Sequence, residues 1–176
     1  QRIVNSVAAQ NRWEIFTADV SQAFLRGQTF EEAAGEKSEV VRDVQFTIPP
    51  GGLSTLQMLP GFEDINPLDE VFQMLRCGFG LKDAPRLWNK VPRRVLETNG
   101  LQSLQSDQQL FAWHVPVSTT HLAATDTAPP QRLVLLISTH VDDLKGASTE
   151  ATFDILCNEL QKHFGDLTIQ KRQFRL

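Results

Sequence analysis

The sequence predicts an α+β fold: a mixed, mostly antiparallel sheet with helices packed on one face. Three observations carry this. Short strand-like runs rich in aromatic and β-branched residues recur, at 13–20 (WEIFTADV), 107–115 (DQQLFAWHV) and 132–141 (RLVLLISTHV). Two segments, 83–98 and 149–164, place apolar residues at helical spacing. Between 132 and 146 a long apolar strand turns at Asp142 and Asp143 and resumes as Leu144-Lys145-Gly146, the pattern of a hairpin. A sheet of this kind leaves one face open to a ligand.

The elements follow in order. Residues 2–10 read as the end of a helix, with Ile3 and Val7 at helical spacing, and Asn11 turns the chain. In strand 13–20, alternation puts Phe16, Ala18 and Val20 toward the core and Thr17 and Asp19 on the opposite face. SQAFLRG is a short turn or helical piece, and the charged stretch 29–43 is a surface excursion. VQFTI (44–48) is a strand stopped by Pro49-Pro50-Gly51-Gly52. Residues 53–68 lack periodicity, and EVFQMLR (70–76) is a short strand broken by CGFG.

In helix 83–98 the core stripe is Ala84, Leu87, Trp88, Val91 and Val95, and Asn99-Gly100 ends it. Pro92 lies inside; an interior proline costs about 3 kcal/mol, so a kink or an early end is expected there. Residues 116–131 are a Thr/Ala/Pro-rich loop. Helix 149–164 has Thr149 as candidate N-cap and Phe153, Leu156, Leu160 and Phe164 on one face. A last strand begins near 166.

Bulk properties bound the function. Hydrophobic residues at 41% and charged residues at 22% are ordinary for a globular chain, and 176 residues suffice for a real core. No apolar run approaches the roughly 20 residues of a membrane helix. A formal charge of −4 argues mildly against a stand-alone nucleic-acid binder. Cys77 and Cys157 have no metal-ligand spacing and read as free thiols of a reducing compartment. The chain begins mid-pattern without Met, so it looks excised from something longer.

The paired aspartates are the first chemical feature. With 11 Asp in the chain, chance alone gives about 0.7 such pairs, so a solvated hairpin tip competes with a metal or acid/base role. Asp19 supplies a third carboxylate at the end of another apolar strand. Paired strands lie about 5 Å apart, so the three can meet. Three hard oxygen donors with no imidazole or thiolate suit Mg²⁺, and two such ions suit phosphoryl transfer. The helix from 83 also bears a basic stripe of Lys82, Arg86, Lys90 and Arg93 or Arg94, which is either a solvated face or a rail for phosphates. Ser138, His140 and Asp142 merely line one strand face, so a hydrolytic triad is disfavoured.

Taken together, DVSQAFLRG (19–27), GFGLKDAPRLWN (78–89) and HVDD (140–143) resemble three ordered segments of copia-type retrotransposon reverse transcriptases. IPPGG (48–52), GLQSLQSDQQLF (100–111) and FGDLTIQKRQF are weaker matches. The resemblance implies one polymerase palm domain over 1–176, with part of the fingers at 30–75 and with the N-terminal fingers, thumb and RNase H domain absent.

It also implies two Mg²⁺ ions, or Mn²⁺, held by Asp19, Asp142, Asp143 and the Val20 carbonyl. Asp19, Asp142 and Asp143 would be catalytic. Ala23, Phe24, Phe79, Gly80 and Lys82 would meet a deoxynucleotide, Phe24 excluding a 2′-OH, and Arg86 and Lys90 the nucleic acid. The implied partners are an RNA or DNA template with primer, dNTP and the remainder of the polyprotein, with no membrane. The implied setting is intracellular, a cytoplasmic particle or the nucleus. His140 and Phe79 stand where the family has Tyr, and Asp83 where it has Gln. The rival reading is a non-catalytic relic or host-retained domain that binds nucleic acid or protein.

Overall fold

The structure is a computed structural model and describes residues 2–37, 39–117, 130–165 and 167–172. Its elements are α1 (Arg2–Asn11), β1 (Glu14–Val20), a 3₁₀ turn (Ala23–Arg26), α2 (Phe30–Lys37), β2 (Gln45–Phe46), α3 (Leu53–Leu56), β3 (Phe72–Gln73), α4 (Ala84–Thr98), β4 (Gln102–Ser103), β5 (Leu110–Pro116), β6 (Gln131–His140), β7 (Asp143–Ser148), α5 (Glu150–Phe164) and β8 (Leu167–Arg172). The fold is α+β. Its main sheet has six strands in the order β4-β5-β6-β7-β1-β8, and every pairing is antiparallel.

Alternation sorts the sheet into two faces. On one, Phe16, Ala18, Val20, Phe111, Leu135, Ile137 and Leu144 are buried with Trp88, Val95 and Leu96 of α4 and Phe153, Leu156, Leu160 and Phe164 of α5. Each large side chain taken fully from water there contributes roughly 1.5–3 kcal/mol. On the other face α1 is an addition. Its Val4 and Ala8 cover Ile15, Leu110, Ala112, Leu136 and Ala147. This cover lies toward the start of β1, which leaves the stretch beside Thr17 and Asp19 open.

Three expectations change. The excursion 29–43 contains a helix, α2. Thr29 and Glu32 form a reciprocal cap: the Glu32 amide donates to Thr29 Oγ1 at 3.0 Å, and the Thr29 amide donates to Glu32 Oε2 at 2.9 Å. The strands expected at 44–48 and 70–76 shrink to two residues each, paired as a separate two-stranded sheet. Pro92 does not end α4, which continues to Thr98. It forfeits one backbone hydrogen bond, and the burial of Leu87, Trp88, Val95 and Leu96 around it offsets that loss. Most of loop 116–131 and the end of the last strand lie outside the described residues. No helix among those described is long and apolar enough to cross a membrane.

Candidate metal centre

β1 and β7 run antiparallel in the register Ala18↔Leu144 and Asp19↔Asp143. The end of one strand therefore meets the start of the other. β6 and β7 join through Val141 and Asp142 alone, with His140 paired to Asp143. This tight turn places Asp142 next to both neighbours. The three aspartates each offer an oxygen, and these atoms lie within 4.8 Å of one another. A separation above about 8 Å would have precluded two shared ions roughly 3.5–4 Å apart; the observed spacing is well inside that limit.

The turn is held from two sides. Val141 has φ +52°, a left-handed conformation that a β-branched residue seldom adopts. Positive φ at the first turn residue and not at the second rules out a type I′ turn, which needs it at both. The indole N–H of fully buried Trp88 donates to the Val141 carbonyl. The Val20 amide donates to the Asp142 carbonyl at 3.2 Å. Thus α4 and β1 both grip the backbone that presents the aspartates. Trp88 read from the sequence only as core. Its indole N–H inside an apolar stripe was the available signal, because a buried indole needs an acceptor.

Burial, then the neighbouring Asp142 and Asp143 charges, push the Asp19 carboxyl above its usual range. A bound divalent cation relieves both causes. The donors are hard carboxylate oxygens, and among the described residues no His or Cys joins the cluster, so the set fits Mg²⁺ or Mn²⁺. Beside the carboxylates a cleft of about 380 Å³ lies on the open sheet face, lined by Thr17, Asp19, Asp143, Lys145, Thr168 and Gln170. Lys145 was not singled out from sequence; its place opposite Thr17 puts a cation on that face.

The other candidates fall in separate places. Ala23 is buried in the 3₁₀ turn, and Phe24 beside it is half-buried. Phe79, 71% exposed, meets Phe24 edge-on with ring centroids 4.9 Å apart, and Gly80 follows with φ +90°. Lys82 and Arg86 are exposed and make no hydrogen bond or ion pair among the described residues.

Lys90 is ion-paired with Glu36 of α2. Arg93 pairs with Glu97 at 3.6 Å and donates to the Gln108 carbonyl at 2.9 Å. The basic stripe is thus partly consumed by the protein itself. Asp83 is the N-cap residue of α4, yet its side chain makes no capping bond. It accepts from Arg42 at 2.5 Å, and chiefly that bond holds its carboxyl below the usual range.

No family model matches this chain, and no solved structure matches it. Two curated proteins do. It is 34% identical over 110 residues to the retrovirus-related Pol polyprotein from transposon RE2 of Arabidopsis thaliana. It is 33% identical over 110 residues to that from transposon RE1. Each match covers 62% of this chain and 6% of the relative's length, so the chain spans a small part of either polyprotein. Over that part of its length the chain is similar to retrotransposon Pol polyproteins, in keeping with the copia-type resemblance read from its sequence.

Proposed function

We propose that this chain carries the palm, with part of the fingers at 30–75, of an RNA-directed DNA polymerase. The observation that supports it most is the cluster of Asp19, Asp142 and Asp143 at one end of an open sheet face. Asp19 and Asp142 would share the ions, with Asp143 and the Val20 carbonyl completing the protein's ligands. Bound divalent ions would supply the positive charge that activates an attacking primer hydroxyl and stabilises the leaving oxygen.

The residues do the rest. The Phe24 ring, buttressed by Phe79, would lie against the sugar of a deoxynucleotide, with Ala23 and Gly80 shaping its surroundings. Lys82 and Arg86, which make no hydrogen bond or ion pair among the described residues, would attract the triphosphate and template phosphates. Lys90 would do so only after leaving Glu36. Nucleic acid and dNTP are the proposed partners, with the remainder of a polyprotein.

Mn²⁺ titration tests the site. Metal at ten times its Kd adds about 1.4 kcal/mol to stability, a Tm rise of about 3–6 °C for a chain this size. Asp142→Asn should abolish that rise. No metal binding at millimolar Mn²⁺ would instead favour a non-catalytic relic. A primer-extension assay on the same chain should show little synthesis, because at −4 its hold on a primer-template is weak. Extension that persists in Asp142→Asn removes Asp142 from the mechanism.

A further inference from the structure

Nine of the thirteen large hydrophobic residues exposed among the described ones fall between Val40 and Phe79. They are concentrated on the lobe around the two-stranded sheet. There Phe46, Ile48, Pro49, Leu56, Leu59 and Phe72 line an apolar groove of about 420 Å³. Phe72 also stacks on Phe46, with centroids 5.4 Å apart, so the two rings form one continuous part of the groove's lining.

Phe72 is shared with a second, polar cleft of about 590 Å³ that contains Glu63, Asp64, Asp69 and Glu70. From Val44 to Leu75 the chain has those four carboxylates and not one Lys, Arg or His. Glu63, Glu70 and Asp69 accept local hydrogen bonds, from the Gly61 amide, the Asn66 amide and the Asn66 side chain respectively. None of these donors is a cation, and no ion pair among the described residues offsets the four carboxylates. An apolar patch of this kind marks an interaction surface. The adjoining negative field repels a nucleic-acid backbone and attracts a cationic protein segment.

We infer that this lobe is a docking surface for a protein segment whose apolar side chains fill the Phe46–Leu59–Phe72 groove while flanking Lys or Arg residues meet the Glu63–Glu70 cleft. The inference does not depend on the polymerase reading, because it uses none of the residues near Asp19.

The probe is a fluorescent amphipathic peptide of Leu and Lys, titrated against the whole chain by anisotropy. Its counterpart with Glu for Lys and an oligo-dT strand are run in parallel. The Leu/Lys peptide should bind, weaken as salt rises, and lose about tenfold or more in affinity on Leu59→Asp, which puts a charge in the groove. The exposed Asp64→Asn, which leaves the groove intact, should weaken it a few-fold with an unchanged circular-dichroism spectrum. The Glu peptide should not bind.

Several results would overturn the inference: no binding of the Leu/Lys peptide, or equal binding of the Lys and Glu peptides. So would affinity untouched by both substitutions, which would move the peptide to the Asp19 cluster. Oligo-dT binding that Leu59→Asp abolishes would make the lobe a nucleic-acid surface. Sedimentation showing a dimer that Leu59→Asp dissociates would make it a self-association surface.

Discussion

Trp88 and Asp19 show how much one side chain decides. Trp88→Phe keeps an aromatic ring but removes the pyrrole half with its N–H, leaving the Val141 carbonyl without its partner and a small void in the core. An unmade buried hydrogen bond costs about 1–3 kcal/mol, so Tm should fall. Because that carbonyl belongs to the turn bearing Asp142, Mn²⁺ affinity should fall several-fold as well. A lower Tm with unchanged Mn²⁺ affinity would reduce Trp88 to packing.

Asp19 works in the opposite sense. Its carboxyl is pushed above the usual 3.8 by burial and then by its two acidic neighbours. A raised acid pKa means the folded state holds the proton more tightly. Without metal, stability should therefore decline as pH rises from about 3.8 through the raised value. Asp19→Asn should flatten that decline and raise the metal-free Tm. Mn²⁺ affinity of the unaltered protein should climb with pH over the same window, as the metal ceases to compete with a proton. Thermal melts across a pH series, with and without Mn²⁺, read both effects.

At the scale of elements, two glycines explain how strands and helices close up around the site. Gly146 lies opposite Phe16 in the β1–β7 pairing, and a Cβ there would stand 2.2 Å from the Phe16 ring. That ring instead covers the glycine and packs on Phe153 of α5 at 4.6 Å. Gly146→Ala should cost about 1–3 kcal/mol by overpacking, read as a lower urea midpoint with an unchanged slope. Gly27 lets the chain after the 3₁₀ turn approach the α4 backbone, since a Cβ would sit 3.2 Å from the Trp88 amide nitrogen. The helix stripes of α4 and α5 were legible because 3.6-residue periodicity survives any context. α2 was missed although Thr29-x-x-Glu32 announces its cap. β2 and β3 were overdrawn because β-propensity cannot distinguish a strand from an extended loop without its pairing partner.

Across the whole molecule, a sheet layer with two well-buried helices carries a lobe fastened by little. Phe30, Cys77, Ala84 and Leu87 form its small core with α4. Outside it, Arg42 grips Asp83 and stacks on Phe30, while Lys90 meets Glu36. Asp83, depressed chiefly by the Arg42 bond, stabilises this junction above its usual 3.8 and loses that contribution as pH falls through its lower folded value. Hydrogen exchange across residues 28–46 should quicken in Arg42→Ala at neutral pH, and in the unaltered protein on acidification. The amides of β1, β6 and β7 should stay protected. Uniform acceleration through the sheet would show that lobe and layer open together.

The amino-acid sequence alone determined the α+β class, the two amphipathic helices, the β6–β7 hairpin and the three aspartates. These follow from local periodicity, turn chemistry and residue type. Tertiary structure alone decided which strand lies against which, and hence that the Asp19 and Asp142 carboxylates come within 4.8 Å. It also gave Trp88 a hydrogen bond to the turn, placed α1 over part of the open face and tied Lys90 and Asp83 to the lobe. These are contacts between residues distant in the chain, and no local pattern encodes a partner that only folding brings near.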